Sequence, residues 1–377
     1  MEETKVIIVG AGPSGLATSA CLNTLRIPNI VLEREDCCAS LWKKKAYDRL
    51  KLHLAKEFCN LPHMPFPADA PTYVPKDQFI AYIDNYASFF QVSPNYSRSV
   101  ESAFYDENAK KWRVSAKNIV SSESEVYVAD FLVVATGENS KGFIPDIPGL
   151  DDFSGEKIHS SEYKLGSKYQ GKDVLVVGSG NSGMEIAYDL SNYGARTSIV
   201  IKSPVHLLTT GMVRLGMRLL KHFPVNWVDK LISKIANYYY GDLSSFGLIR
   251  PTEGPFYLKI VSGRSPIVDV GTAQKIAKGE IHVLPAVSSM AEKSVSFANG
   301  ESREFDVIIF ATGYRSTCNY WLKDYDFLLN NEGMPKGKFP HHWKGSNGLY
   351  CVGLARRGLA GVSMDAQAVA NDIKNLI

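Results

Sequence analysis

Apolar positions along this chain come mostly in short unbroken runs rather than in strict alternation. Such runs stand at residues 6–9, 29–32, 131–137, 173–177, 197–201, 306–314 and 348–353. Runs of this length, bounded by turn residues, are the pattern of strands buried on both faces. Helical spacing fills several of the intervals, at 16–25, 78–90, 184–193 and 364–377. Shorter strand-like pieces lie at 111–116, 125–129, 281–284 and 294–297. Strands alternating with helices predict an α/β fold with parallel sheets. Residues 62–75 are rich in proline and predict a surface loop. Residues 207–240 mix leucine, methionine, valine and tyrosine with Arg214, Arg218, Lys221, Asp229, Lys230 and Lys234. They read as amphipathic helices inserted into the second half, packing a core, covering a substrate or touching a membrane surface.

Two of the strand–helix junctions carry glycine patterns. The first is Gly10-Ala11-Gly12-Pro13-Ser14-Gly15, which follows the run at 6–9 and opens a helix. The next apolar run ends on Glu33, 23 residues after Gly10. Strand, glycine turn, helix, strand and acid in that order make a dinucleotide-binding βαβ unit. Gly10 permits the tight turn, Gly12 admits a pyrophosphate, and Gly15 lets helix and strand pack closely. The helix N-terminus offers N–H groups and a positive dipole to the phosphates. Glu33 is suited to the hydroxyls of an adenosine ribose and repels a 2′-phosphate. Trp42, shortly after, is placed to lie against a cofactor ring or to join the core.

The second junction is Gly178-Ser179-Gly180-Asn181-Ser182-Gly183, again between a strand and a helix. Here the following strand ends on Lys202-Ser203, a cation and a hydroxyl where an NAD site carries a carboxylate. A 2′-phosphate is attracted there, which predicts NADPH over NADH. Each fingerprint is followed at a distance by an apolar strand ending in Ala-Thr-Gly, at Ala135-Thr136-Gly137 and at Ala311-Thr312-Gly313. That echo predicts two Rossmann-like dinucleotide-binding domains built alike. Pro145, Pro148 and Gly149 mark a connection between them.

Composition narrows the class. The chain has 377 residues, 45% of them apolar and 21% charged, with a net charge of +3. That balance gives no case for a nucleic-acid partner. No signal peptide precedes the first strand, and no apolar window is long enough to span a bilayer, so a cytoplasmic enzyme is expected. Cys21, Cys37, Cys38, Cys59, Cys318 and Cys351 show no CxxC and no metal spacing with histidine. Reduced thiols and no metal site are the expectation.

Two nucleotide sites have a physical use when one cofactor reduces another. A flavin held in the first site can take hydride from NADPH in the second. Disulfide reduction needs a redox pair, and adjacent Cys37-Cys38 form a strained ring, so molecular oxygen is the expected acceptor. Reduced flavin and oxygen give a C4a-(hydro)peroxide, provided water is kept away.

The motifs carry a resemblance. Phe153-Ser154-Gly155-Glu156-Lys157-Ile158-His159-Ser160-Ser161-Glu162-Tyr163 fits F-x-G-x-x-x-H-x-x-x-Y, the identifying motif of class B flavin-containing monooxygenases, and Phe310-Ala311-Thr312-Gly313-Tyr314 fits that family's second signature. Ala39-Ser40-Leu41-Trp42, Tyr47-Asp48-Arg49-Leu50-Lys51-Leu52-His53-Leu54 and Gly180-Asn181-Ser182-Gly183-Met184-Glu185 look more specifically like the plant YUCCA flavin monooxygenases. So does Arg356-Arg357-Gly358-Leu359. The resemblance covers essentially the whole chain.

It implies an FAD domain formed by 1–165 and 306–377, interrupted by an NADPH domain at 166–305 with a helical insertion at about 207–240. It also implies NADPH-dependent oxidative decarboxylation of indole-3-pyruvate by O2 to indole-3-acetic acid, the auxin hormone. Oxygenation of nitrogen or sulfur in soft nucleophiles, and a redox-sensing FAD/NADPH-binding protein, are the competing readings. The chemistry is the cofactor's, so no catalytic side chain is expected. His159 and Tyr163 are expected to link the sites structurally. Arg356, Arg357, Arg49 and Lys51 are candidate cations for a substrate carboxylate. Lys202 departs from the arginine usual in the family, offering a point charge rather than a fork to phosphate.

Overall fold

The computed structural model describes residues 1–377, and the chain divides into two compact units. The first comprises Met1–Lys45, Ala55–Lys141 and Tyr314–Ile377; the second comprises Ala46–Leu54 and Gly142–Gly313.

In the first unit, β1 (Glu2–Val9) runs into α1 (Pro13–Thr24) and then β2 (Asn29–Leu32). After α2 (Lys76–Phe89) come β3 (Arg98–Asp106), β4 (Lys111–Asn118) and β5 (Ser124–Val134). The sheet order is β2-β1-β5-β4-β3, with the C-terminal strand Leu349–Cys351 paired to β5. Strands β2, β1, β5 and Leu349–Cys351 are parallel, whereas β4 and β3 attach antiparallel. The reason lies in β5, whose outer half pairs with β4 through Ser124–Ala129 while its inner half pairs with Leu349–Cys351. Ile7, Ile8, Leu132 and Val133 are completely buried, each contributing about 1.5–3 kcal/mol. The C-terminal helix Gly358–Leu376 packs on α1.

The second unit contains β6 (Glu156–His159), β7 (Asp173–Val177), α3 (Asn181–Asn192) and β8 (Arg196–Val200). An insertion of three helices follows: α4 (Thr210–Leu219), α5 (Val225–Tyr240) and α6 (Pro255–Ser262). Strands β9 (Ile281–Leu284) and β10 (Val307–Phe310) complete a parallel sheet of order β9-β8-β7-β10-β6.

Several sequence expectations change here. The expected boundaries at 165/166 and 305/306 differ from the observed ones, because β6 and β10 both belong to the second sheet. Val307 pairs with Glu156 on one side and Val174 on the other. The Ala-Thr-Gly strand of each unit lies beside its own glycine-turn strand, β5 beside β1 and β10 beside β7. Closing the second sheet therefore keeps residues 307–310 out of the first. The two pieces expected at 125–129 and 131–137 are one long strand, and the insertion reaches beyond 240 to include α6. The terminal helix starts at Gly358 rather than 364.

Candidate functional site

Each unit presents a glycine turn at the carboxyl end of the strand that opens its strand–helix–strand unit, β1 in the first and β7 in the second. In the first, Gly10 has φ +108°, and a Cβ there would stand 2.6 Å from the Ala135 carbonyl oxygen. Only glycine satisfies both constraints. A Cβ on Gly15 would stand 1.8 Å from the Gly10 carbonyl oxygen, so α1 meets the turn at backbone contact. Gly12 is different: nothing lies within 4 Å of its Cβ position. That is open space at a helix N-terminus that has Pro13 at its start and no side-chain cap, leaving N–H groups for an anion.

The acid closing this unit is buried. Glu33 accepts hydrogen bonds from the Ala11 N–H at 2.7 Å and the Glu35 N–H at 2.8 Å. Burial pushes its carboxyl upward in pKa, opposed by those two N–H donors. Glu33 thus braces the glycine turn. Beside Gly10, whose Cβ position is 3.2 Å from Thr136 Cα, the buried Thr136 hydroxyl has no hydrogen-bond partner, and a Cβ on Gly137 (φ +75°) would meet nothing within 4 Å. An orphaned hydroxyl beside an open turn fits a missing polar ligand. Pro13 and Ser14 open α1, and a Cβ on Gly353 would stand 2.1 Å from Ser14 Oγ. The Gly353 N–H donates to Asp365 Oδ2 at 3.0 Å, so the C-terminal segment also shapes this turn. Sequence reasoning missed Gly353; its place just after an apolar strand was the available signal.

Trp42 sits in one turn of π-helix, Leu41–Lys45, with its ring 4.4 Å from that of Phe79 at 58°. Phe79 thus packs against one side of the indole, and Trp42 as a whole is half-buried.

The second turn repeats the design. Gly178 has φ +112° and a Cβ position 2.5 Å from the Ala311 carbonyl oxygen; that of Gly183 is 2.0 Å from the Gly178 carbonyl oxygen. Gly180, like Gly12, faces open space, and α3 has no side-chain cap. Ser179, Gly180 and Asn181 line a cleft of about 280 Å³ with His206, Arg264 and Ser265. Asn181 Oδ1 accepts from the Val268 N–H at 2.7 Å, tying the end of the helical insertion to the turn. That bond occupies the amide oxygen and leaves the Nδ2 donors of the same side chain out of it. Ser182 is hydrogen-bonded to Tyr47. Lys202 is exposed just beyond β8. Arg264, whose guanidinium donates to the Pro204 carbonyl, brings a second cation that sequence reasoning missed. It lies far along the chain, and only the return of the insertion places it here. The buried His206 donates from Nε2 to the Glu253 carbonyl at 2.7 Å, and burial depresses its pKa below 6.5.

His159 and Tyr163 are structural. His159 Nε2 donates to the Gly313 carbonyl at 3.0 Å, and Nδ1 lies 2.9 Å from Ser161 Oγ. Tyr163 is fully buried and donates to Asp189 Oδ2 at 2.6 Å. Segment 46–54 docks on α3 through the same helix face. Tyr47 and His53 donate to the two oxygens of Glu185 at 3.1 and 2.7 Å. Arg49 sits 3.7 Å from Asp189 and over the Tyr188 ring. Among the candidate substrate cations, Arg49 is therefore engaged within its own unit. Arg357 lies 3.7 Å over the Phe339 ring, Arg356 is 3.9 Å from Glu138, and Lys51 is exposed. All six cysteines are free thiols.

Two sheets, one parallel and one mixed, each with a glycine turn holding open space at a helix N-terminus, define a protein of the two-dinucleotide oxidoreductase class. The flavin-binding monooxygenase-like family matches residues 3–369, and the chain belongs to it. It is 53% identical over 376 residues to a probable indole-3-pyruvate monooxygenase, YUCCA10, of Arabidopsis thaliana, covering 100% of this chain and 98% of that relative. To the indole-3-pyruvate monooxygenase YUCCA1 of Oryza sativa subsp. japonica it is 48% identical, covering 97% of this chain and 90% of the relative. A flavin-containing monooxygenase from Stenotrophomonas maltophilia superposes with a TM-score of 0.75 at 20% identity, covering 100% of this chain and 99% of the other.

Proposed function

We propose that this protein is an FAD- and NADPH-dependent monooxygenase that oxidatively decarboxylates indole-3-pyruvate to indole-3-acetic acid, a step of auxin formation. The balance is indole-3-pyruvate, O2, NADPH and a proton giving indole-3-acetate, carbon dioxide, NADP+ and water. The observation that carries the reading is full-length identity of 53% and 48% to relatives named as a probable indole-3-pyruvate monooxygenase and an indole-3-pyruvate monooxygenase, on a chain with two open glycine cradles.

FAD, when bound, supplies the oxygen activation. The chain's own residues bind and orient. Gly10, Ala11, Gly12, Pro13, Ser14 and Gly15 form the turn that presents backbone N–H groups, those of Gly12, Ser14 and Gly15, to the FAD pyrophosphate, and Glu33 takes the adenosine ribose. Gly178, Ser179, Gly180, Asn181, Ser182 and Gly183 do the same for NADPH. Lys202 and Arg264 supply positive charge for its 2′-phosphate. Thr136 offers its hydroxyl to the first nucleotide. No side chain is assigned as nucleophile or base.

The test is direct. Purified holoenzyme is mixed with NADPH and indole-3-pyruvate, with carbon dioxide trapped and the acid product quantified. Equimolar carbon dioxide and indole-3-acetate per NADPH is the expected result. NADPH consumption yielding only hydrogen peroxide, with amines or thioethers oxygenated instead, overturns the substrate assignment.

A further inference from the structure

The helical insertion of the second unit has one face that its own packing leaves uncovered. Helix α5 buries Val228, Ile232 and Ala236 in a small core with Met212 and Val213 of α4 and Phe256 of α6. At 100° per residue, Trp227, Lys230, Lys234 and Tyr238 fall together on the opposite side, as a strip about 16 Å long. Trp227 is 49% exposed and Tyr238 93%. Phe223, just before the helix, stacks on Trp227 with ring centroids 4.8 Å apart and 26° between planes, and is itself exposed.

Charge follows the same segment. Residues 207–264 hold eight Lys and Arg against three Asp and Glu. One of those acids, Asp229, is buried and accepts from the Phe256 and Tyr257 N–H groups. The insertion is thus more positive than the whole chain, whose net charge is +3. Aromatic rings flanking lysines on one helix face suit the headgroup layer of a bilayer. Trp and Tyr settle there with one end wet, and lysine stems lie along apolar surface while their ammonium groups reach anionic lipid.

We propose that the outer face of α5 is a peripheral docking surface for an anionic lipid bilayer. The helix lies in the plane of the interface rather than across it; no helix of the protein is long and apolar enough to cross a membrane. A second copy of the chain is the poorer occupant. A two-fold contact centred on this strip sets Lys230 and Lys234 against themselves.

The experiment is co-sedimentation of the holoenzyme with vesicles of phosphatidylcholine, with and without phosphatidylserine. Pelleting with the anionic vesicles alone, reversed by high salt, is expected. Lys230→Glu/Lys234→Glu lowers the bound fraction by about fivefold per lysine or more, and Trp227→Ser/Tyr238→Ser abolishes it. In both variants NADPH oxidation in free solution stays at the parent rate, which reports that the fold is intact. Absence of pelleting overturns the proposal, as does binding that both double variants retain. Sedimentation velocity showing a dimer that Trp227→Ser dissociates, without vesicle binding, assigns the face to a second copy instead.

Discussion

The Glu33 carboxylate accepts the Ala11 N–H at 2.7 Å, so the acid that closes the first βαβ unit also holds the glycine turn in shape. Both of its oxygens are engaged by backbone, through Ala11 and Glu35. Glu33→Ala leaves two N–H groups without acceptors, one of them buried. The apo-protein should lose about 1–3 kcal/mol, read by urea titration, and FAD affinity should fall at least tenfold by flavin fluorescence. The charge itself costs stability at neutral pH. Burial raises the folded pKa above the unfolded one, so the stabilising protonated form is lost as pH rises through the folded value.

The four glycines flanking the two helix starts should separate into two behaviours. Gly12 and Gly180 have ordinary φ values of −73° and −71° and open space where a Cβ would go. Their alanine variants should keep the parent melting temperature while losing turnover, because the methyl occupies the phosphate position. Gly15→Ala and Gly183→Ala drive a Cβ to 1.8 and 2.0 Å from a carbonyl oxygen. These should destabilise by about 3 kcal/mol or more, if they fold at all. Full activity in both Gly12→Ala and Gly180→Ala would falsify the two-site mechanism.

Lys202 and Arg264 should act on one coenzyme only. Each alanine variant is expected to raise KM for NADPH about tenfold, the loss of one phosphate contact, with KM for NADH unchanged. Steady-state kinetics with both coenzymes checks this, and an equal rise for NADH would move the cation away from the 2′-phosphate.

Asp189 serves two buried donors, the Tyr163 hydroxyl at 2.6 Å and the Gly166 N–H at 2.9 Å. Asp189→Ala should cost about 3 kcal/mol, and Tyr163→Phe about 1 kcal/mol. Burial and the Asp189 charge push the Tyr163 phenol far up, so the bond should hold unchanged across the working pH range. Calorimetry of the two variants, singly and together, reads their coupling.

His206 makes the second unit acid-sensitive. Its folded pKa lies below 6.5 because it is buried, so protonation favours the unfolded chain. Stability present above about pH 6.5 should fall as pH drops through the folded value. In His206→Gln the limb of the stability curve just below that pH should be shallower than in the parent, measured by thermal melts at graded pH.

Much of this was legible in the residues because it depends on local backbone chemistry. Both glycine turns, their strands and their helices announce themselves through short apolar runs and glycine spacing, which obey near-neighbour sterics. Long-range placement does not. Val307–Phe310 and Phe131–Val134 look alike in sequence, and only pairing decides which sheet each completes. Segment 46–54 reads as a continuation of the first nucleotide unit, yet Tyr47, Arg49 and His53 attach it to Glu185 and Asp189 on α3. Arg264 reaches the second glycine turn through a detour of three helices. The Lys202 strand end was visible because it is adjacent in sequence; Arg264 is adjacent only in space.

That detour also bears on how such chains diversify. Strands β8 and β9 are parallel neighbours, paired from Thr197 with Ile281 to Val200 with Leu284, and a crossover of about a dozen residues suffices to join such strands. Here 80 residues, 201–280, make the journey, and lengthening a connection costs little chain entropy. The sheet's register is indifferent to what the detour contains, provided it returns to Asn181. The insertion is thus an exchangeable cassette: its surface can be recoloured, or its helices transplanted from a relative, while the hydride-handling scaffold beneath keeps its geometry.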